Sequence, residues 1–193
     1  MPPRLNPIDP PYEEGVAAAL AGGMPPGVPL LLLRTIAHNP RVLEMIRASH
    51  LLDRGSLARR HRAIVILRTT VRCTCEYEWR VRASLFAARA ELRQAEMAVI
   101  AYGGAGDPAW SQPERTLIRL VDELHDTARI SDALWTELRR HWSDAQLVEL
   151  VVVVGFYHTI SFVVNGLGVE LEPPAASVSR DRVFEAKLEV TGT

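Results

Sequence analysis

Cysteine, surplus charge and aromatic side chains are all scarce in this chain. Only two cysteines, Cys73 and Cys75, occur in 193 residues. With one residue between them they are poorly placed for a disulfide, whose α-carbons lie about 4.4 Å or more apart with the side chains turned inward. A disulfide-stapled scaffold is excluded, and a reducing compartment fits. The 22 basic and 23 acidic side chains nearly cancel and form no long block of one sign. That balance argues against a nucleic-acid or membrane-surface partner. Phosphate-binding loops are missing too: Gly103-Gly104-Ala105-Gly106 runs into Asp107-Pro108 without a preceding strand or a following lysine. Nor is there a Gly-x-Ser-x-Gly elbow. His38, His50, His125 and His141 have no carboxylate or thiol grouped with them at metal-ligand spacing. The expectation is therefore no cofactor and no metal. The opening MPPRLNPIDPPYEEG lacks an apolar run behind a basic head, so a cytoplasmic location is expected.

What is present is a chain of one-domain size, divided by proline and glycine into helix-length pieces. We expect a single domain over 1–193, with 1–11 and 174–193 as terminal arms and Pro25-Pro26-Gly27 as a link. Asn39-Pro40 opens a helix expected to run to about Asp53, with Leu43, Ile46 and Leu51 as its apolar marks. Ser56 is placed to cap the next helix, in which Leu57, Ile64, Leu67 and Val71 recur. Ser111-Gln112-Pro113-Glu114, Ser131 and Ser143 mark three later starts. The run from Leu147 to Val164 approaches the length of a membrane span, but Glu149, Tyr157, His158, Thr159 and Ser161 interrupt it. A buried core helix ending at Gly166 and Gly168 is the better reading, and its length decides against a strand. The sum is an all-α fold of about eight helices.

The densest chemistry lies in RAIVILRTTVRCTCEYEWRVR, from Arg62 to Arg82, which holds both cysteines. Its Glu76-Tyr77-Glu78-Trp79, the later Glu114 and Asp122-Glu123-Leu124-His125, and the closing NGLGVELEP from Asn165 together resemble the carboxymuconolactone decarboxylase family. Within it they look most like a branch bearing a Glu-Tyr-Glu-Trp signature. The resemblance covers roughly residues 30–173. It implies an alkylhydroperoxidase D-like helical bundle, a small-molecule substrate and assembly into homo-oligomers, trimers or hexamers. The family's peroxidase members use Cys-x-x-Cys-x-x-x-His with a glutamate twelve positions before the first cysteine. Here Cys75 matches the leading cysteine, but Glu78, Arg82 and Ala63 stand where the second cysteine, the histidine and the glutamate are expected. Such a peroxidase needs an attacking thiolate, a resolving thiol and a proton relay. Cofactor-free proton transfer at carbon, as in the decarboxylase members, survives these substitutions better.

On a helix Cys75, Glu78 and Arg82 share one face. Glu78 and His158 are the acid/base candidates, Arg82 the anion-holding group and Cys75 a site wall. Tyr77, Trp79 and Asn165 are further substrate-binding candidates. Blander readings accompany each. Glu76 with Arg80 and Glu78 with Arg82 stand in the favoured order for ordinary helix-surface pairs. His158, on a face with Ser161 and Asn165, is equally a core histidine bonded to a carbonyl. His61 among Arg59, Arg60 and Arg62 reads as a solvated basic face. The expected function is decarboxylation or isomerisation of an activated acid, lactone or enolisable substrate. The alternatives are a thiol-dependent alkylhydroperoxidase using Cys75 and a non-catalytic oligomeric ligand-binding protein.

Overall fold

The computed structural model describes residues 2–21, 29–49, 55–86 and 90–173. The expected arm 174–193, the Pro25-Pro26-Gly27 link and the stretch around Leu51 to Asp53 lie outside them. Nine helices and no strand are found among the described residues: α1 (Glu14–Ala21), α2 (Leu31–Ile36), α3 (Pro40–Ala48), α4 (Arg59–Arg72), α5 (Glu76–Phe86), α6 (Gln94–Tyr102), α7 (Gln112–Thr127), α8 (Asp132–Leu138) and α9 (Asp144–Leu167). The all-α expectation holds, with one helix more than the rough count.

Several starts follow from local chemistry. Asn39 accepts the Val42 N–H at 3.3 Å ahead of Pro40. Ser111 and Glu114 form a reciprocal capping box at α7, as do Ser143 and Gln146 at α9. Gly168, at φ 67°, closes α9 in the left-handed conformation that glycine adopts without steric cost. One expected cap is wrong. Ala58, not Ser56, precedes α4, and Ser56 instead donates from N (2.6 Å) and Oγ (2.7 Å) to Glu149 on α9. A carboxylate outcompetes the helix start for that serine because a charge-assisted bond is roughly twice as strong as a neutral one.

Helix α4 is the axis of the bundle. Every side chain from Arg62 to Val71 is buried, and α4 packs along both α7 and α9. The basic run at its start is therefore not a solvated face. Arg60 joins Glu114 (2.6 Å) and Glu96 (2.7 Å), Arg62 reaches Glu149 (2.9 Å), and His61 lies edge-on to Trp142 with centroids 4.9 Å apart. Arg68 grips both oxygens of Asp122 at 2.8 and 2.9 Å, tying α4 to α7. Two apolar clusters result. The larger gathers α4, α6, α7, α8 and the first half of α9, while the smaller joins α1, α2 and α3 to Cys75, Tyr77, Val81, Ile160 and Val164.

Helix α9 serves both clusters. Among the described helices it alone is long and apolar enough to cross a membrane by length and composition. Its inner face is packed in the bundle, whereas Val148, Val152 and Phe162 face outward, so the expectation of a core helix holds for one side only.

Candidate functional site

The Arg62 to Arg82 stretch is two helices joined by a tight turn. At the end of α4, Cys75 N–H bonds Thr70 O (2.8 Å) and Thr74 N–H bonds Val71 O (3.0 Å), the paired pattern of a Schellman stop. The left-handed position in that motif usually belongs to glycine. Here it is Thr74, at φ 52°, a costly conformation for a β-branched residue. The turn points the two cysteines into different surroundings. Cys75 is fully buried and Cys73 half-buried.

Cys75 belongs to an inner group. Its carbonyl accepts the Trp79 N–H (3.1 Å), and its sulfur accepts the Glu78 N–H at the start of α5. Such a bond favours a thiolate, but burial outweighs it and pushes the thiol up to about 12. At neutral pH Cys75 is a thiol, not a nucleophile. Glu78, with no exposed surface, accepts Arg82 Nε at 2.8 Å on Oε2. Its other oxygen, Oε1, is buried and has no hydrogen-bond donor among the described residues. The Arg82 guanidinium sits 5.5 Å from the centre of the Tyr157 ring. Burial works against its charge, but Glu78 and Tyr157 prevail and hold it protonated. Burial also raises the Tyr157 hydroxyl. The Glu78 and Arg82 pair is the i, i+4 pair read from the sequence, moved from the surface to the interior. Glu76 with Arg80, by contrast, is a partly exposed ion pair.

An outer group forms around Cys73. His125, on the last turn of α7, places Nδ1 3.0 Å from His158 Nε2 and 4.0 Å from Cys73 Sγ. His158 Nδ1 lies 2.9 Å from the Val154 carbonyl. A carbonyl only accepts, so that nitrogen carries the proton and neutral His158 presents a bare Nε2 towards His125. Burial, then Arg72 and His158, lower the His125 pKa below the ordinary imidazole value. Burial raises the Cys73 thiol. Arg72, beside the group, is paired with Asp126 and lies 3.6 Å from Asp122. Ser161, fully buried on α9, lies against both sulfurs, near enough to favour either thiolate, though its Oγ makes no hydrogen bond of ordinary geometry. Asn165 donates to the Cys73 carbonyl at 2.9 Å. The stripe of His158, Ser161 and Asn165 thus meets the turn that carries the cysteines.

The other named candidates have structural partners. Tyr77 donates to Glu172 and accepts the Leu32 N–H at 3.1 Å, while Glu172 also accepts the Leu31 N–H at 2.7 Å. The ring pins the start of α2 and the segment after α9 to α5. Trp79 is fully buried in the larger core. His158 makes its described contacts with His125, Val154 and Phe162, and no hydrogen bond or ion pair among the described residues joins it to Glu78. Cys73 and His125 were not among the site residues expected from sequence. They are 52 positions apart, and His125 is 33 from His158, so no local spacing betrays the trio. A groove of about 700 Å³ between α1 and α3 is lined by Glu13, Arg41, Glu44 and Arg47, away from both groups.

No family model matches the chain, and no curated protein matches it. Solved structures do. A peroxidase-related protein from Silicibacter superposes with a TM-score of 0.73 at 16% identity, covering 89% of this chain and 92% of that one. A protein of unknown function from Agrobacterium tumefaciens, suggested as the antioxidant defence protein AhpD, gives 0.65 at 19% identity over 72% and 95% of the two chains. The debrominase Bmp8, as a cysteine-to-alanine variant with 2,3,4-tribromopyrrole, gives 0.67 at 14% identity over 96% of each.

Proposed function

We propose that on this fold, the all-helical one of AhpD-like proteins, the protein is a small-molecule enzyme working by proton transfer at carbon, with Glu78 as the acid and base. The observation that carries this reading is the division of labour in one carboxylate. Oε2 is held by Arg82, while Oε1 is buried without a donor among the described residues. An unmet buried acceptor costs about 1–3 kcal/mol, and more when charged, so its retention calls for an explanation. A substrate C–H beside a carbonyl or lactone supplies one. Oε1 takes the proton, the electron pair moves to the carbonyl oxygen, and the adjacent guanidinium stabilises the resulting enolate charge. Return of the same proton to another carbon completes an isomerisation. Loss of carbon dioxide followed by protonation completes a decarboxylation.

Because Glu78 is fully enclosed, substrate reaches it only when the seam between α5 and α9 opens. The outward Val148, Val152 and Phe162 fit a homo-oligomer, which we include in the proposal. The chemistry is tested by incubating the protein in deuterium oxide with a panel of β-keto acids, enol-lactones and muconolactones and following exchange or product by NMR. Exchange that disappears in Glu78→Gln supports the reading. Since that variant strands Arg82, the charge-balanced Glu78→Gln/Arg82→Met pair is the folded control. Turnover surviving in a folded double variant, or none across the panel with the unchanged protein, rejects it.

A thiol peroxidase is the second reading, favoured by the descriptions of two fold neighbours. The buried, protonated Cys75 opposes it. Hydroperoxide consumption with a dithiol, lost in Cys75→Ser, would reverse the order.

A further inference from the structure

We propose that Cys73 Sγ, His125 Nδ1 and His158 Nε2 together bind a divalent transition-metal ion, zinc by preference, with a fourth coordination position left for water or a ligand. All three atoms lie within 4.8 Å of one another, and all three residues are half-buried, so an ion can enter from solvent. A tetrahedral zinc with bonds of about 2.0–2.1 Å to nitrogen and 2.3 Å to sulfur needs edges of about 3.3 Å between nitrogens and 3.6 Å between sulfur and nitrogen. Two of the observed edges are 3.0 and 4.0 Å, and the third, from Cys73 Sγ to His158 Nε2, is within 4.8 Å. Rotamer adjustments of up to about an ångström close the gap. One thiolate with two imidazoles is a donor set suited to zinc and rules out the hard cations, which take oxygen.

Three further features suit a cation. His158 Nδ1 is already held by the Val154 carbonyl, the outer bond that ligating histidines commonly make, and it leaves Nε2 as the ligand nitrogen. Cys73 caps the C-terminus of α4 and His125 lies in the last turn of α7, so the negative ends of two helix dipoles converge on the site. Asn165 fixes the Cys73 backbone through its carbonyl. The ligands come from the end of α4 and from α7 and α9, both of which pack on α4, and this fixes their spacing before any ion arrives. The nearest positive group, Arg72, is paired with Asp126 and Asp122. Binding balances simply: the thiol loses its proton to solvent, His125 moves its proton from Nδ1 to Nε2 by exchange with solvent, and the ion gains one sulfur and two nitrogen ligands.

This inference does not depend on Glu78. The full chain, treated with chelator and dialysed, is titrated with Co²⁺ and with Zn²⁺ against a chromophoric competitor. One equivalent of Co²⁺ is expected to raise a thiolate-to-metal charge-transfer band with the intense visible bands of four-coordination, and Zn²⁺ to displace it. Cys73→Ser removes the charge-transfer band, and His125→Ala or His158→Ala weakens binding by more than about 100-fold, beyond what loss of an outer partner costs. Asn165→Ala, on the exposed side and safe for the fold, weakens it about tenfold. Cys75→Ala leaves the band in place. Absence of the band in the unchanged protein, its survival in Cys73→Ser, or its loss in a folded Cys75→Ala instead overturns the proposal.

Discussion

Two regions hang from one turn and differ in almost every physical respect. On its inner side Cys75, Glu78, Arg82 and Tyr157 form a dry, charge-paired group. On its outer side Cys73, His125 and His158 form a half-open, uncharged cluster of sulfur and nitrogen atoms. Residues two apart in sequence thus live in opposite environments, because Thr74 reverses the backbone between them. Burial, not proximity in the chain, decides which cysteine has chemistry to offer. The thiol nearest the acidic signature is the inert one.

The contrast breaks most severely at Glu78. Replacing it with glutamine leaves the Arg82 guanidinium largely buried beside a neutral group, and breaking such a pair costs about 3–5 kcal/mol. Replacing both partners, as in Glu78→Leu/Arg82→Met, is expected to fall within about 1–2 kcal/mol of the parent, because apolar side chains of similar volume carry no desolvation penalty. Urea midpoints of the single and double variants measure the difference. No comparable loss is expected for His125→Asn in the outer group, where water reaches the side chains.

The two regions should also fail on opposite sides of neutrality. Cys75 has a folded pKa raised from 9.0 to about 12, so its contribution is whole below pH 9 and is lost as pH rises towards 12. Between pH 9 and 11 the loss is on the order of 3 kcal/mol, and Cys75→Ala should flatten it. His125 has a lowered pKa, so its contribution is whole above the unfolded value of 6.5 and is lost as pH falls below it. His61, lowered by its burial, acts in the same direction. Denaturant melts across pH, repeated with His125→Asn, separate these arms. A smaller difference is kinetic. At pH 8 iodoacetamide should label Cys73 at least tenfold faster than Cys75, read by peptide mass spectrometry, since attack requires access and a thiolate. Equal rates would erase the distinction between inside and outside.

Much of the bundle was legible because it is built from local signals. Asn39-Pro40, Ser111 with Glu114, Ser143 with Gln146 and Gly168 each act within one helical turn, and α9 was long enough to settle its own type. The Glu78 and Arg82 pairing was legible for the same reason, but its burial was not, because burial depends on α9 crossing α5 some eighty residues later. Ser56 was misread because its real partner, Glu149, lies 93 positions away. The basic run beside His61 misled likewise, since its carboxylates come from α6, α7 and α9. Cys73, His125 and His158 share no periodicity at all and become a group only when three helices meet. Composition and spacing report what a turn of helix knows about itself. Tertiary clusters of single polar residues leave no such trace.

The smallest expected effect probes the turn that separates the regions. Thr74 occupies the left-handed position of the α4 stop, which glycine adopts without a clash between side chain and backbone. Thr74→Gly should therefore stabilise the fold by about 1 kcal/mol, the relief of local strain less the greater freedom glycine gains in the unfolded chain. The same change should loosen the orientation of Cys73 against His125 while leaving Cys75 enclosed. Cys73 labelling should then speed up about two- to threefold at unchanged Cys75 protection, if the balance between strain and entropy is as stated. A loss of stability instead would mean that the threonine side chain makes contacts worth more than its strained backbone costs, and that the partition between inner and outer groups is held by packing and not by the backbone reversal.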